Sequence, residues 1–200
     1  MMNTFWDERY ETDHFVYGKE PNSFLESEIA KLTPGKILLP GEGEGRNAVY
    51  AASKGWNVDA FDQSKVGSEK ALSLAEELGV VIDYQVSGLD RFDFQQNHYD
   101  AVGLIFFHAS PAERKMLHRR VCNALKRGGI VILEAFHTQQ LGNGTGGPQS
   151  LEMLFNRKTI LDDFSTLQTM HIEELSIALN EGPFHQGKAS IIRFVGNKIT

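Results

Sequence analysis

A glycine-rich segment near residue 40 has the residue types and spacing that suit ligand binding. Residues 37–48 read ILLPGEGEGRNA, with glycines at Gly41, Gly43 and Gly45. The apolar residues before the glycines are typical of a buried strand, and those after them predict a helix. Glycine permits unusual dihedral angles and close approach of a ligand, while a helix start offers N–H groups to an anion. The segment predicts a ligand-binding turn, although a tight turn without a ligand fits the same pattern.

An acidic residue follows at a distance that suits such a turn. Asp62 ends the apolar segment Val58–Phe61 and lies about 20 residues beyond Gly41. Ligands of open parallel sheets bind at the carboxyl ends of the strands, where an acid at this spacing binds ribose hydroxyls. The glycine turn and Asp62 together predict an adenosine-type ligand. The alternative is that Asp62 only begins the turn before Ser64.

The charges in the turn favour one adenosyl ligand over another. The dinucleotide pattern needs a third glycine, and its position is taken by Arg46. Glu42 and Glu44 would also lie beside a pyrophosphate and repel it. S-adenosylmethionine has no phosphate, and acidic surroundings favour its sulfonium and ammonium groups. Its carboxylate is expected to use the helix N-terminus near Arg46.

Composition narrows the classes of protein. The chain has 200 residues and a formal net charge of −6, which argues against nucleic acid as a partner. No apolar run reaches the roughly 18 residues of a membrane span, and the polar, acidic Met1–Glu11 segment is unlike a secretory signal. Cytoplasmic location is therefore expected. The single cysteine, Cys122, is expected in the core, and the scattered histidines predict no metal site.

Strand and helix patterns alternate along the chain and predict an α/β fold in one domain over residues 1–200. The five predicted parallel strands are Lys36–Pro40, Asn57–Phe61, Val81–Val86, Tyr99–Phe106 and Ile130–Ala135. Helices are predicted near 22–32, 45–54, 64–78, 110–126 and 157–164. Two β-like segments, Leu167–Leu179 and Ala189–Val195, then predict an antiparallel hairpin.

Gly41–Asn47 together with Asp62 resembles the cofactor motifs of class I S-adenosylmethionine-dependent methyltransferases. Further segments are similar to the bacterial tellurite-resistance and thiopurine methyltransferase type, and they extend the resemblance over nearly the whole chain: Phe5–Tyr10, Tyr17–Gly18, Pro21–Leu25 and Leu125–Gly129. Two positions depart from the common pattern. Leu39–Pro40 stands where many members have Asp-Leu, and Glu42 replaces a frequent cysteine, so its side chain either approaches the methionine ammonium or faces solvent.

The resemblance implies a Rossmann-like three-layer sandwich, with a mostly parallel seven-stranded sheet and a C-terminal antiparallel hairpin. It also implies a cofactor site for S-adenosylmethionine. Carried over by position, the residues are Gly41, Gly43 and Gly45 for the methionine moiety, Asp62 and Gln63 for the ribose, Ser87, Gly88 and Leu89 for the adenine, Phe106, Phe107 and His108 near the ribose and sulfonium, and Trp6, Arg9 and Tyr17 as a cover. Glu42 and Arg46 of the same turn are also expected to bind the cofactor. For Trp6, ordinary packing of an N-terminal helix is the alternative.

The expected reaction is methyl transfer to a small-molecule acceptor, such as a thiol or a chalcogen oxyanion like tellurite. A general base is needed only if the acceptor carries a proton, and His108 and His185 are the weak candidates. Tyr17, Glu134 and His137 are candidate substrate residues, and residues 137–150 form either a lid or a surface loop. A monomer or homodimer without a nucleic-acid or membrane partner is expected. The alternatives are a non-catalytic S-adenosylmethionine sensor and an NAD-linked oxidoreductase.

Overall fold

The computed structural model describes residues 4–199, and these form two compact units. The first unit runs to Asp93 and includes Glu181–Phe184; the second contains Phe94–Asn180 and the chain from His185. The helices are α1 (Thr4–Tyr10), α2 (Ser23–Ile29), α3 (Arg46–Ser53), α4 (Lys65–Glu77), α5 (Pro111–Ala124) and α6 (Arg157–Asp163). The strands are β1 (Lys36–Pro40), β2 (Asn57–Asp62), β3 (Asp83–Val86), β4 (Tyr99–Ile105), β5 (Leu125–Phe136), β6 (Gln168–Asn180) and β7 (Gln186–Asn197).

In the first unit, parallel pairing brings the ends of β1, β2 and β3 to one edge. Pro40 pairs with Phe61, and Asp62 pairs with Val86. The strand β1 is buried from its second residue onward, as the apolar run predicts. The prediction of a buried third strand was wrong: β3 has four residues, of which three are exposed. This strand is an edge strand, so one of its sides has no neighbouring strand to cover it.

In the second unit, parallel β4 and β5 are followed by the antiparallel pairs β5–β7 and β7–β6. The predicted hairpin is confirmed, and β7 lies between β5 and β6. The predicted helix end near Lys126 was wrong, because α5 ends at Ala124 and β5 begins at Leu125. Leu125 pairs with Tyr99, and the register shifts between Tyr99 and Ala101. This irregularity accommodates the residues around Gly128, whose φ is 82°.

All seven strands belong to one mixed sheet in the order β3-β2-β1-β4-β5-β7-β6. The sheet is mostly parallel with an antiparallel C-terminal part, so the predicted α/β class is confirmed. In the second unit, Phe136 and Leu154 form an apolar cluster with residues of the hairpin. Within residues 4–199, no helix has the length and apolar character needed to cross a membrane.

Candidate cofactor site

The turn between β1 and α3 is fixed to the end of the neighbouring strand. The backbone N–H groups of Gly41 and Glu42 both donate to the Phe61 carbonyl, at 2.8 and 3.2 Å. The φ angles of Gly41, Gly43 and Gly45 are 63°, 60° and 89°, in the left-handed region that side chains disfavour. The glycine spacing therefore builds a rigid turn at the carboxyl edge of the first unit's strands.

Two of the three glycines are required for different packing reasons. A Cβ added at Gly43 would lie 2.6 Å from the Tyr10 hydroxyl oxygen. A Cβ at Gly45 would lie 2.5 Å from the Cβ of Ala71, so Gly45 allows α3 and α4 to pack. Gly45 thus has a helix-packing role, and the contact with the methionine moiety that the resemblance implies for it stays a prediction.

Two tyrosines lie against the turn. Tyr10 is buried beside Gly43, and the Tyr84 hydroxyl donates a 2.6 Å hydrogen bond to the Gly43 carbonyl. Burial raises the pKa of Tyr10 and of Tyr84 well above the usual value, so both hydroxyls stay protonated. The sequence reasoning missed both as site residues, although Tyr10 lies within a segment that carries the family resemblance.

Asp62 ends β2 directly beside the turn. Its carboxylate accepts hydrogen bonds from the backbone of Gly43 at 3.1 Å and of Ser64 at 2.8 Å. Burial raises the pKa of Asp62, whereas these backbone donors act in the opposite direction. A carboxylate has about four acceptor positions, so two bonds leave capacity for ribose hydroxyls. Asp62 thus does shape the turn before Ser64, and it keeps acceptor capacity for a ligand.

The Glu42 side chain folds back onto the first turn of α3. Its Oε1 atom accepts the backbone N–H groups of Asn47 and Ala48, each at 2.7 Å. These are early N–H groups of α3, and the N-cap residue Gly45 has no side chain to satisfy them. Burial raises the pKa of Glu42 to about 7. Glu42 therefore caps the start of α3, and its predicted approach to the methionine ammonium stays a prediction.

The side chains of Glu44 and Arg46 are also engaged within the first unit. Glu44 accepts from the Val16 backbone at 2.7 Å and pairs with Lys70 at 2.8 Å. Arg46 donates to the Tyr17 carbonyl at 3.1 Å and to the Glu181 carboxylate at 3.0 Å. Glu42 binds the first amides of α3 and Glu181 holds the Arg46 guanidinium, and the predicted contact of the cofactor carboxylate near Arg46 stays a prediction.

These contacts test which adenosyl compound fits. A dinucleotide places its pyrophosphate on the first N–H groups of the helix after the glycine turn. Here the Glu42 carboxyl already binds those groups at Asn47 and Ala48, so they are not available to a phosphate. An adenosyl compound without phosphate needs only the turn backbone and the Asp62 acceptors. The residues therefore fit S-adenosylmethionine and do not fit a dinucleotide bound in the usual way.

Aromatic residues of α1 pack beside the glycine turn. The Trp6 ring stacks on Tyr10 with centroids 5.6 Å apart, so the packing alternative for Trp6 is realised. Arg9 lies over the Phe184 ring at 4.2 Å, and Tyr17 contacts both Tyr10 and Phe184. The contact of Phe184 and Glu181 with the N-terminal region joins distant parts of the sequence, and no local pattern predicts it.

The remaining predicted residues of the first unit lie at the ends of β2 and β3. Ser87 donates its backbone N–H to the Asp62 carbonyl at 2.8 Å, which places it next to the acid. Gln63, Gly88 and Leu89 are partly exposed. Their predicted contacts with ribose and adenine are not tested by these positions and stay predictions.

In the second unit, Phe106 directly follows β4 and has a strained conformation. Its φ is 50°, which is unusual for a residue with a side chain, and its N–H donates to the Glu134 carbonyl at 2.7 Å. Its ring meets His185 edge-on with centroids 4.6 Å apart. Strain of this kind clusters at functional sites. Phe107 is partly exposed, and its contact with the sulfonium stays a prediction.

Among the candidate bases and substrate residues, His108, Glu134 and His137 have partners within the second unit. His108 contacts the Met153 carbonyl through Nδ1 at 2.8 Å, and its Nε2 accepts the Phe136 N–H at 3.3 Å. Burial lowers the pKa of His108 to about 4, so the ring is neutral near pH 7. Glu134 is buried and bonds the Arg193 guanidinium at 2.6 Å. His137 accepts the Gln139 N–H at 3.2 Å and lies 3.5 Å from Glu174.

Comparison with known proteins gives a family assignment for part of the chain. A family model for a methyltransferase domain matches residues 37–129. No curated protein matches the sequence.

Solved structures share the fold over most of the chain, at low identity. A Methanosarcina mazei S-adenosylmethionine-dependent methyltransferase is 17% identical with a TM-score of 0.71, covering 90% of this chain and 99% of its own. TehB from Haemophilus influenzae is 14% identical with a TM-score of 0.73, covering 98% and 66%. A structure reported for conversion of a disulfide bond into a thioacetal group during echinomycin biosynthesis is 15% identical with a TM-score of 0.76, covering 99% and 92%.

The domain match covers the glycine turn, Asp62, the candidate adenine residues and Phe106. Residues 37–129 therefore match a methyltransferase domain, and the solved structures show that the chain shares the fold of such proteins.

Proposed function

We propose that this chain transfers the methyl group of S-adenosylmethionine to a small-molecule acceptor that is nucleophilic without a protein base. The observation that carries the proposal is the capped helix start: Glu42 binds the N–H groups of Asn47 and Ala48. This arrangement favours a phosphate-free adenosyl compound over NAD and so argues against the oxidoreductase alternative. A single domain over residues 1–200, cytoplasmic location and a monomer or homodimer form part of the same proposal.

In this proposal, the residues at and around the glycine turn of the first unit bind or orient the cofactor. Asp62 accepts hydrogen bonds from the ribose hydroxyls, while the Gly43 backbone is kept in place by Tyr84. Trp6 and Tyr10 restrict the access of water to the turn. S-adenosylmethionine supplies an electrophilic methyl group on an excellent leaving group, so alignment and exclusion of water are the main tasks of the protein.

The engaged side chains of the second unit support an acceptor that needs no general base. His108 has both ring nitrogens in hydrogen bonds and a pKa of about 4, so it is a weak proton acceptor near pH 7. Glu134 is held by Arg193. Thiolates and reduced chalcogen anions, including those derived from tellurite, are nucleophilic without loss of a proton. We therefore propose this soft class of acceptor.

Turnover tests the proposal. The purified protein is incubated with S-adenosylmethionine and a panel of thiols, selenite, tellurite with a reductant, and arsenite, and S-adenosylhomocysteine is quantified. We expect turnover with at least one soft acceptor, and little loss in His108→Asn beyond that explained by stability. Cofactor binding without product from any acceptor would favour the sensor instead. Turnover confined to oxygen or amine acceptors, with strong dependence on His108, would contradict the proposed acceptor class.

A further inference from the structure

A second candidate binding site lies in the second unit, and its wall contains no residue assigned to the cofactor. A cavity of about 550 Å³ lies beside α5 and α6. We call it the α5–α6 cavity; its wall includes Arg114, Ser150, Leu151, Glu152, Leu154 and Asn156. The proposed methyl transfer does not use any of these residues, so the cavity needs its own explanation.

Arg114 gives the cavity a buried cation with a fixed orientation. The residue is 9% exposed, and its Nε donates to Asp163 Oδ2 at 2.7 Å. The same carboxylate oxygen lies 3.0 Å from His118 Nδ1, which holds the acid in place. Within residues 4–199, the two terminal nitrogens of Arg114 make no hydrogen bond. These nitrogens reach the solvent-filled space of the cavity and are therefore available to a ligand.

Two neutral donors lie in the same wall. The Asn156 Oδ1 atom accepts from the Thr159 backbone at 2.9 Å and from the Thr159 hydroxyl at 3.1 Å. This arrangement fixes the orientation of the Asn156 amide, and its Nδ2 atom donates to no group in the described part of the chain. Ser150 precedes the 3₁₀ turn Leu151–Met153, but its hydroxyl does not cap that turn. The cavity thus offers one charged and two neutral donors.

We propose that the α5–α6 cavity binds a small molecule through its carboxylate group. Planar carboxylates accept two parallel bonds from the end of a guanidinium, and the Nε edge of Arg114 is already used by Asp163. Glu152 also lines the cavity and is exposed. Its charge disfavours a phosphate dianion more than a singly charged carboxylate. Leu151 and Leu154 offer contact to an apolar body of the ligand.

Binding of three probes of similar shape tests the charge requirement. Benzoate, benzamide and benzylamine are titrated separately into the full-length protein and followed by calorimetry or chemical-shift changes. We expect saturable binding of benzoate, with benzamide about 10-fold weaker or worse, because a bond to a charged group contributes more than a neutral one. Tighter binding of benzylamine than benzoate would assign the cavity to Glu152 and a cation, which overturns the proposal.

Variants then locate the binding. Arg114→Gln is expected to weaken benzoate binding about 10-fold or more, whereas Arg119→Gln, an exposed charge on the same helix, has little effect. Ser150→Trp places an indole ring in the wall of the cavity without replacing Arg114 or Asp163, so it serves if Arg114→Gln unfolds. Unchanged benzoate affinity in Ser150→Trp would overturn the proposal, as would the absence of saturable benzoate binding to the wild-type protein. S-adenosylmethionine binding to Ser150→Trp shows separately whether the cofactor site is retained.

Discussion

At the scale of single residues, the candidate cofactor site depends on one carboxylate whose acceptors are only partly used. Asp62 binds the Gly43 and Ser64 N–H groups and has further lone pairs. Replacement by alanine removes charged hydrogen bonds to the ribose. We expect Asp62→Ala to weaken S-adenosylmethionine binding by about 1–3 kcal/mol, measured by calorimetry on protein shown to be folded. Asp83→Ala on exposed β3 is the control, and equal affinity in both variants would remove Asp62 from the site.

Gly43 and Gly79 form a matched pair for testing the glycine turn. Their φ angles are 60° and 66°, so alanine imposes a similar backbone strain at both positions, about 1–2 kcal/mol. A new Cβ meets Tyr10 only at Gly43, because nothing lies within 4 Å at Gly79. Gly43→Ala is therefore expected to lower the unfolding free energy and the cofactor affinity more than Gly79→Ala. Equal effects in denaturant unfolding and calorimetry would contradict the close packing of Tyr10 on the turn.

At the scale of elements, the turn between β6 and β7 holds the start of α3 through a buried ion pair. The Arg46 and Glu181 side chains are 9% and 15% exposed, whereas those of Lys19 and Glu77 are 46% and 60% exposed. Glu181→Ala leaves the Arg46 charge without this carboxylate. We expect it to lower the unfolding free energy by about 3 kcal/mol, because breaking a buried pair is costly. Glu77→Ala should cost less than about 1 kcal/mol.

Urea unfolding of the two variants measures both values. The expected order is a large loss for Glu181→Ala and a small loss for Glu77→Ala. If the two losses are similar, the Arg46–Glu181 pair does not stabilise the first unit in the manner described.

The sequence predicts the elements of this fold better than the contacts of the site. Apolar runs and capping residues locate β1, β2 and α4, because burial and local backbone bonds leave a periodic pattern. The same pattern does not show that Gly45 serves helix packing or that Glu42 caps α3, since both depend on the geometry of the turn. Glu181 could not be predicted, because its partner Arg46 lies 135 residues earlier in the chain.

At the scale of the whole molecule, the stability should depend on pH through Glu42. Burial raises its pKa from 4.5 to about 7, so the folded protein holds this proton more tightly than the unfolded chain does. The stabilising contribution is fully present below pH 4.5 and is lost as the pH rises to about 7. We expect the unfolding free energy of the wild type, relative to Glu42→Gln, to fall across this range.

Comparison with the Glu42→Gln variant is needed because His108 acts in the opposite direction. Its pKa is lowered from 6.5 to about 4, so its contribution is present above pH 6.5 and is lost as the pH falls to 4. Both proteins contain His108, and its contribution cancels in the difference. Urea unfolding at several pH values provides the measurement. A difference that stays constant between pH 4.5 and 7 would show that Glu42 keeps an ordinary pKa.

Titration of the purified protein with S-adenosylmethionine and with NAD⁺ by calorimetry tests the central claim most directly. The claim is that Glu42 occupies the helix N–H groups a pyrophosphate would need, while Asp62 remains available to an adenosyl ribose. We predict saturable binding of S-adenosylmethionine that weakens in Asp62→Ala, and no measurable binding of NAD⁺. Saturable NAD⁺ binding without any binding of S-adenosylmethionine would contradict the account.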